Sequence, residues 1–264
     1  MSGFMMTEGA LRQALCGELI QPAFQPIHRV PDGIPVGFEV LARWSLPDDG
    51  SVSPDIFTAQ ASHSRLETAI ARTLMESAVP TTCRLARALR HPLMVGFNAG
   101  PANITDPDFE VGCAAFVTAC RGTGVSLVVE VTGREPLIPE LSAALVHLRA
   151  RGAAIMLANY GTGYATTDVL SWLRPDIVKL DRSLTVLAGA GESSSRLDEA
   201  LNAACCAGAT ILAEGVEKSR EYCWLYSRGI RLFQGELFGL PVSAEMLEGG
   251  RATVSLFFHV IAGG

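Results

Sequence analysis

Eight short apolar stretches recur along the chain, and most are bounded by glycine, proline or aspartate. Their residues are 22–30, 36–44, 93–100, 126–132, 153–160, 176–181, 210–216 and 232–239. Runs of this length that are rich in Val, Ile, Leu and Phe are typical of buried strands, so the pattern predicts eight strands. The sequence Pro31-Asp32-Gly33 separates the first two and favours a hairpin turn, so we expect these two strands to be antiparallel.

Segments of helical length, rich in alanine and leucine, lie between the later strands. They cover 55–89, 108–121, 137–151, 166–173, 195–207 and 217–228. The alternation of strands and helices predicts a mainly parallel sheet, and eight strands in 264 residues suit a closed barrel. The expected fold class is therefore α/β, a modified (β/α)8 TIM-type barrel with an antiparallel first strand.

The connecting segments predict a single domain over residues 1–264, because no linker rich in proline and serine divides the chain. Residues 188–195 are expected to form a mobile loop. The apolar tail at 253–264 is expected to be a final strand or helix that covers the barrel, with a dimer or partner contact as the alternative.

Composition narrows the classes of function. Hydrophobic residues make up 48% of the chain and charged residues 18%, which excludes a disordered protein. The net charge of −6 disfavours nucleic acid as a partner. We expect no membrane-spanning helix and no secretory signal, and the seven cysteines contain no C-x-x-C pair, so the expected location is cytoplasmic.

Polar side chains recur where the predicted strands end. Because a barrel gathers the carboxyl ends of its strands on one face, they are expected to converge on a ligand or metal site. The alternative is structural: Glu130 and Lys179 would form a buried ion pair, and Asn98 and Gln234 would cap strand ends. The residues concerned are Glu39, Arg43, Asn98, Glu130, Asn159, Lys179, Asp181, Glu214, Glu217 and Gln234.

Several distinctive motifs follow one another in the chain and identify a family resemblance. They are FQPI at 24–27, GFEVLARW at 37–44, FNAGP at 97–101, EVT at 130–132, YGTGY at 160–164, VKLDRSL at 178–184, AEGVE at 213–217 and QGELFGLPV at 234–242. In these motifs the chain resembles the EAL domain, the cyclic di-GMP phosphodiesterase module of bacteria, from about residue 11 to residue 245.

The resemblance implies a chemistry and a set of residues for it. Family enzymes use a pair of magnesium or manganese ions to activate the water that cleaves one phosphodiester bond. By motif, the metal ligands are Glu39, Asn98, Glu130 and Glu214, and the catalytic residues are Lys179, Glu39 and Glu214. The ligand-binding residues are Gln25, Glu39, Leu41, Arg43, Asn98, Asp181, Glu214, Glu217 and Gln234. Arg43 matches the arginine that meets a ligand phosphate, although an exposed ion pair with Asp48 or Asp49 is the alternative.

Two departures from the family pattern decide the expected function. Family enzymes carry two consecutive aspartates where this chain has Ala158 and Asn159, so the carboxylate that bridges the metal pair is missing. Gly133 also stands where the family has a second glutamate after strand five. We therefore expect a degenerate, catalytically inactive signalling protein with Lys179 retained but idle, no firm cofactor, and magnesium or manganese weakly bound or absent.

Two hypotheses fit an inactive protein: it is a cyclic di-GMP receptor or a protein-interaction regulator. Both hypotheses are compatible with a retained fold and with the loss of metal ligands. The alternative is an active or weakly active phosphodiesterase that releases linear pGpG, at a rate reduced roughly 10³-fold or more. The expected partners are cyclic di-GMP, another protein or a second copy of the chain. The resemblance also implies a role in biofilm and motility regulation.

Overall fold

The strands form one sheet that closes on itself, because the first strand pairs with both the second and the ninth. The computed structural model describes residues 7–31, 33–46, 50–189 and 195–249. The strands within these ranges are β1 Ile20–Arg29, β2 Ile34–Ser45, β3 Ser51–Val52, β4 Leu93–Ala99, β5 Val125–Val131, β6 Ala154–Tyr160, β7 Ile177–Leu180, β8 Thr210–Ala213, β9 Leu232–Phe233 and β10 Val242–Ser243.

Strand direction confirms the expected fold class. β1 runs antiparallel to β2 and to β9, whereas β2, β4, β5, β6, β7, β8 and β9 are parallel to their neighbours around the barrel. The two short strands β3 and β10 lie outside the closed ring, on the edges of β2 and β1. The result is an eight-stranded α/β barrel whose first strand is reversed.

Helices cover the outside of the barrel and include every predicted helical segment. They are α1 Glu8–Cys16, α2 Pro54–Ser64, α3 Glu67–Leu89, α4 Pro101–Ile104, α5 Pro107–Ala119, α6 Leu141–Ala150, α7 Thr167–Leu173, α8 Arg182–Gly189, α9 Ser195–Cys206, α10 Ser219–Ser227 and α11 Ala244–Glu248. The segment predicted at 55–89 is two helices, since the chain turns at Arg65 with a left-handed φ of 55°.

Two predicted segments differ from the structure, and a third lies outside the described residues. Residues 188–189 of the predicted loop are the last residues of α8, and 190–194 lie outside the described residues, as does the predicted final element at 253–264. The eighth strand was predicted over 232–239, but only Leu232–Phe233 pair as a strand. Gly235 has a φ of 150° and packs against the backbone of Val216, so the chain turns there and extended pairing stops.

The barrel interior is built in layers, and this layering positions the site. Its lower layer is an apolar plug, which consists of Ile27, Val36, Val128, Met156, Ile177, Leu212 and Leu232. Side chains two residues apart point to the same side of a strand. On four of these strands, the residue two positions after the member of the plug is polar and also faces the barrel interior. These four are Glu130, Lys179, Glu214 and Gln234, whereas β6 places Ala158 at the same level.

The long helix α3 spans 23 residues but carries arginine, glutamate and proline along its length. Within the described part of the chain, no helix combines the length and the apolar character that a membrane crossing requires.

Acid should weaken the fold through His28 on β1, which is buried and stacks on Phe238 with ring centroids 5.7 Å apart. Burial lowers the pKa of His28 from 6.5 to about 4. Between pH 6.5 and 4, His28 is protonated in the unfolded chain but stays neutral in the folded chain. The free energy of unfolding therefore falls as the pH drops from about 6.5 to 4. We expect this contribution to reach roughly 3 kcal/mol below pH 4.

The measurement is urea denaturation at several pH values for the parent and for His28→Phe, which keeps a planar ring without a titrating nitrogen. The variant should show a shallower loss of stability between pH 6.5 and 4. Equal slopes for the two proteins would contradict the assignment to His28.

Candidate active site

A buried lysine lies at the centre of the polar layer. Lys179 Nζ on β7 is 2.7 Å from Glu39 Oε2 on β2 and 2.7 Å from Glu130 Oε1 on β5. A third carboxylate, Glu214 Oε1 after β8, is 3.7 Å away. Lys179 is 1% exposed, Glu130 2% and Glu39 6%, so these charges compensate one another out of contact with water. The structure thus has the Glu130–Lys179 contact that the structural alternative described.

Amide groups complete the coordination of Glu39. Asn98 Nδ2 donates to Glu39 Oε1 at 2.7 Å, and Gln234 Nε2 donates to Glu39 Oε2 at 2.9 Å. With Lys179 also donating to Oε2, three N–H donors hold this one carboxylate. The Glu39 side chain is therefore fixed by groups from three other strands or strand ends.

Protonation in this cluster follows from burial and from the single ammonium. Burial would raise the pKa of Glu39, but the charge of Lys179 and the three hydrogen bonds bring it below its usual value. Burial and the charge of Glu39 raise the pKa of Glu130 to about 8, against the opposing effect of Lys179. Burial disfavours the Lys179 ammonium, yet the neighbouring carboxylates raise its pKa. Of the two buried glutamates that contact Lys179, Glu39 is therefore the more readily ionised.

Strand β6 supplies no carboxylate to this layer. Ala158 is 2% exposed and contributes a methyl group. The pairing of β6 with β7 shifts register between Leu157 and Tyr160, and Asn159 has a left-handed φ of 53°, a conformation that asparagine tolerates. The Asn159 side chain hydrogen-bonds to Asp181 and, together with Ser183 and Thr162, lowers the pKa of that carboxyl against the effect of burial.

The donor set around the cluster bears on metal binding. Divalent cations such as magnesium require oxygen ligands, whereas Glu39 accepts hydrogen bonds from three nitrogen donors. Glu130 Oε2 and Gln234 Oε1 are buried without a partner among the described residues. Within those residues no group of three or more His, Cys, Asp or Glu side chains has a geometry suited to a metal ion. Both oxygens of Glu39 are thus engaged by nitrogen donors, and Ala158 supplies no oxygen ligand.

A cavity of about 630 Å³ opens above the cluster, a size in the usual range for small-molecule sites. Glu39, Glu130, Lys179 and Glu214 contribute to its lining. The predicted ligand residues Gln25, Leu41, Arg43 and Asn98 also line it, as does Asn159.

One wall of the cavity was not predicted from the sequence. It is apolar and comes from α2 and α3, with Phe57, Ile70 and Leu74 as its buried members. The amphipathic character of α3 was the available signal, but it indicates only that one helix face is buried. It does not indicate whether that face packs on the barrel or closes a cavity.

Three predicted ligand residues lie outside the cavity lining. Gln234 is buried beneath it and bonded to Glu39. Asp181 accepts from the backbone N–H of Ser183 at 2.9 Å, and Glu217 pairs with Arg182. Their roles in binding stay predictions.

Gly133 is packed directly against the loop that follows β6. A Cβ atom at this position would lie 2.5 Å from Ala165 Cβ and 2.9 Å from Ala165 N, and the Tyr164 N–H donates to Gly133 O at 3.0 Å. Only glycine permits so close an approach, so the two loops are joined by backbone contact at the position where the family has a glutamate.

Comparison with known proteins is consistent with this site. The family model described as "EAL domain" matches residues 8–241. The chain is 30% identical over 241 residues to the cyclic di-GMP phosphodiesterase PdeL of Escherichia coli K12, spanning 90% of this chain and 67% of PdeL. It is 34% identical over 239 residues to the probable cyclic di-GMP phosphodiesterase PdeG of the same organism, spanning 89% of this chain but 47% of PdeG.

A solved structure resembles the barrel over nearly its whole length. It is titled "PaMucR Phosphodiesterase, c-di-GMP complex", with a TM-score of 0.76 and 25% identity, covering 90% of this chain and 98% of that one.

Proposed function

Because the chain belongs to the EAL domain family, we propose that it is a signalling domain that binds cyclic di-GMP in the cavity without hydrolysing it. The observation that carries this proposal is the Lys179 ammonium between Glu39 and Glu130, with a methyl group at Ala158 beside it. A positive charge of the protein's own lies within hydrogen-bond distance of both carboxyl groups. Divalent cations would have to displace it before they could use the same oxygens.

Loss of hydrolysis follows from the way a metal pair works in phosphodiester cleavage. The cations activate a water molecule and neutralise developing charge, and each effect contributes several kcal/mol to stabilisation of the transition state. Without a bridging carboxylate at 158 or 159 we expect a rate loss of roughly 10³-fold or more relative to metal-loaded family enzymes.

Metal binding gives the first test of this proposal. We expect magnesium or manganese at millimolar concentration to leave the cluster empty or to hold at most one weak ion near Glu39, Asn98, Glu130 and Glu214. Anomalous scattering from crystals soaked in manganese measures the occupancy directly. Two well-occupied ions about 3.5–4 Å apart would be incompatible with the proposal.

Arg43 is the group that we propose for phosphate recognition. It is half-buried in the cavity wall, and its Nη1 donates to Ala42 O at 2.9 Å. Glu39, Leu41 and Arg43 are two residues apart and therefore share a face of β2. The alternative partners Asp48 and Asp49 lie outside the described residues.

Arg43→Ala is expected to weaken binding of cyclic di-GMP roughly ten- to hundredfold, because a hydrogen bond to a charged group contributes ~1.5–3 kcal/mol. Isothermal titration calorimetry measures the change. The matched control is Arg121→Ala, which removes an exposed arginine at the opposite end of β5 and should leave affinity unchanged. An Arg43→Ala protein that binds as tightly as the parent would contradict the assignment.

A protein-interaction role is the second hypothesis for a catalytically inactive protein. It becomes the better account if the parent protein has no affinity for cyclic di-GMP at millimolar concentration. In that case the barrel serves as a scaffold for a protein partner or a second copy, and sedimentation velocity tests for the dimer.

The retained cluster favours one other candidate, a slow phosphodiesterase. Glu39, Asn98, Glu130, Lys179 and Glu214 are present, and the curated relatives are named as phosphodiesterases. Chromatography for linear pGpG after prolonged incubation with manganese separates this candidate from the receptor, which should return the ligand intact.

We also propose a cytoplasmic location, supported by seven cysteines that are all free thiols, and a role in biofilm and motility regulation.

A further inference from the structure

A second arginine lines the cavity and has no part in the family pattern described above. Arg134 follows β5 and is exposed at the cavity mouth. The backbone beside it is fixed, because Thr132 N–H donates to Ala99 O at 3.1 Å and Gly133 packs on Ala165. The backbone that leads into Arg134 is therefore held by neighbours on both the β4 and β6 sides.

The guanidinium of Arg134 has no hydrogen bond or ion pair with any residue in the described part of the chain. Its neighbour Glu135 also lines the cavity but forms no ion pair with it within that part. Glu214 lines the same cavity, and burial raises its pKa while the charges of Lys179 and Arg134 oppose that rise. Five N–H donors are thus available to a ligand.

Arg43 and Arg134 stand at the ends of β2 and β5, which are separated in the barrel by β4 alone. Two guanidinium groups in the lining of one cavity match a ligand with two separate phosphates. Arginine suits this task because its planar fork matches the geometry of phosphate oxygens.

We propose that Arg134 is a specificity-determining residue that binds a phosphodiester of a cyclic dinucleotide and supplies positive charge in a cavity that lacks a metal pair. This inference rests on the proposed receptor function. It assigns one phosphate to Arg43 and the other to Arg134, so recognition depends on both phosphates and needs no divalent cation.

The test is calorimetry with cyclic di-GMP in the presence of a chelator, on the full chain and on Arg134→Gln, Arg43→Gln and the double variant. Arg121→Gln is the matched control, since it removes an exposed arginine far from the cavity. We expect Arg134→Gln to weaken binding roughly tenfold at low salt. The two losses should multiply in the double variant, because the side chains contact separate phosphates.

Salt dependence provides a readout that a structural role would not change. The difference between the parent and Arg134→Gln should shrink as ionic strength rises, because the contact is exposed to solvent. Affinity within twofold of the parent, as for Arg121→Gln, overturns the assignment of Arg134. If Arg43→Gln still weakens binding, the receptor proposal stands and only this inference fails. A parent protein that does not bind overturns both.

Discussion

Lys179→Met is expected to lower the free energy of unfolding by about 3–5 kcal/mol, which is a large fraction of the stability of an ordinary domain. The substitution keeps the length and volume of the side chain but leaves Glu39 and Glu130 without the ammonium that contacts both at 2.7 Å. Chemical denaturation in urea measures the loss. The control is Arg182→Met, which breaks the exposed pair with Glu217 and should cost about 0–1 kcal/mol.

A triple variant separates charge from packing. Lys179→Met combined with Glu39→Gln and Glu130→Gln removes the ammonium and the two carboxylates that it contacts at 2.7 Å, so most of the lost stability should return. Magnesium or manganese should also stabilise Lys179→Met more than it stabilises the parent, because the single variant exposes the carboxylate oxygens to a cation. A loss no larger than that of the Arg182→Met control would contradict the central role given to Lys179.

Ala158→Asp combined with Asn159→Asp is expected to make the stability of the protein depend on divalent metal. Ala158 lies at the level of Glu130 and Lys179 in the barrel, and the left-handed φ of 53° at residue 159 is one that aspartate also tolerates. Two more carboxylates beside Glu39 and Glu130 should destabilise the protein in chelator and attract divalent cations in their presence. We expect the melting temperature to rise with manganese and slow hydrolysis of cyclic di-GMP to become measurable.

The control for this pair is Ala158→Asn in the parent, which adds a similar volume without a charge. It should show no manganese-dependent rise in melting temperature. Gly133 sets a further limit on the recovered rate, because Ala165 leaves no space for a glutamate there. A parent protein that already hydrolyses cyclic di-GMP as fast as the doubly substituted one would show that the missing aspartates are irrelevant.

The barrel could be predicted from the sequence because each strand and helix has its own pattern of apolar residues within a short segment of the chain. All eight strands have their apolar runs, and Leu141, Leu145 and Leu148 are buried on one face of α6 as their spacing indicates. The end of β9 could not be predicted, since the turn at Gly235 results from its contact with the backbone of Val216. Likewise α8 extends into a segment whose glycine and serine content favours a loop.

The candidate site was predicted to a smaller extent. Strand-end positions identified Glu39, Glu130 and Lys179, because a barrel places successive strand ends on one face. Nothing in their spacing indicates that one ammonium contacts two carboxylates, which depends on side-chain conformations across three strands. Arg134 was not predicted as a site residue, because it lies in the loop after β5 and not at a strand end.

The most direct test of the receptor account is one calorimetric titration of the full chain with cyclic di-GMP, with magnesium and then with a chelator, followed by chromatography of the recovered ligand. We expect saturable binding with the same affinity in both conditions and recovery of intact cyclic di-GMP. Binding that requires magnesium and returns linear pGpG would contradict the account, and so would the absence of binding at millimolar ligand.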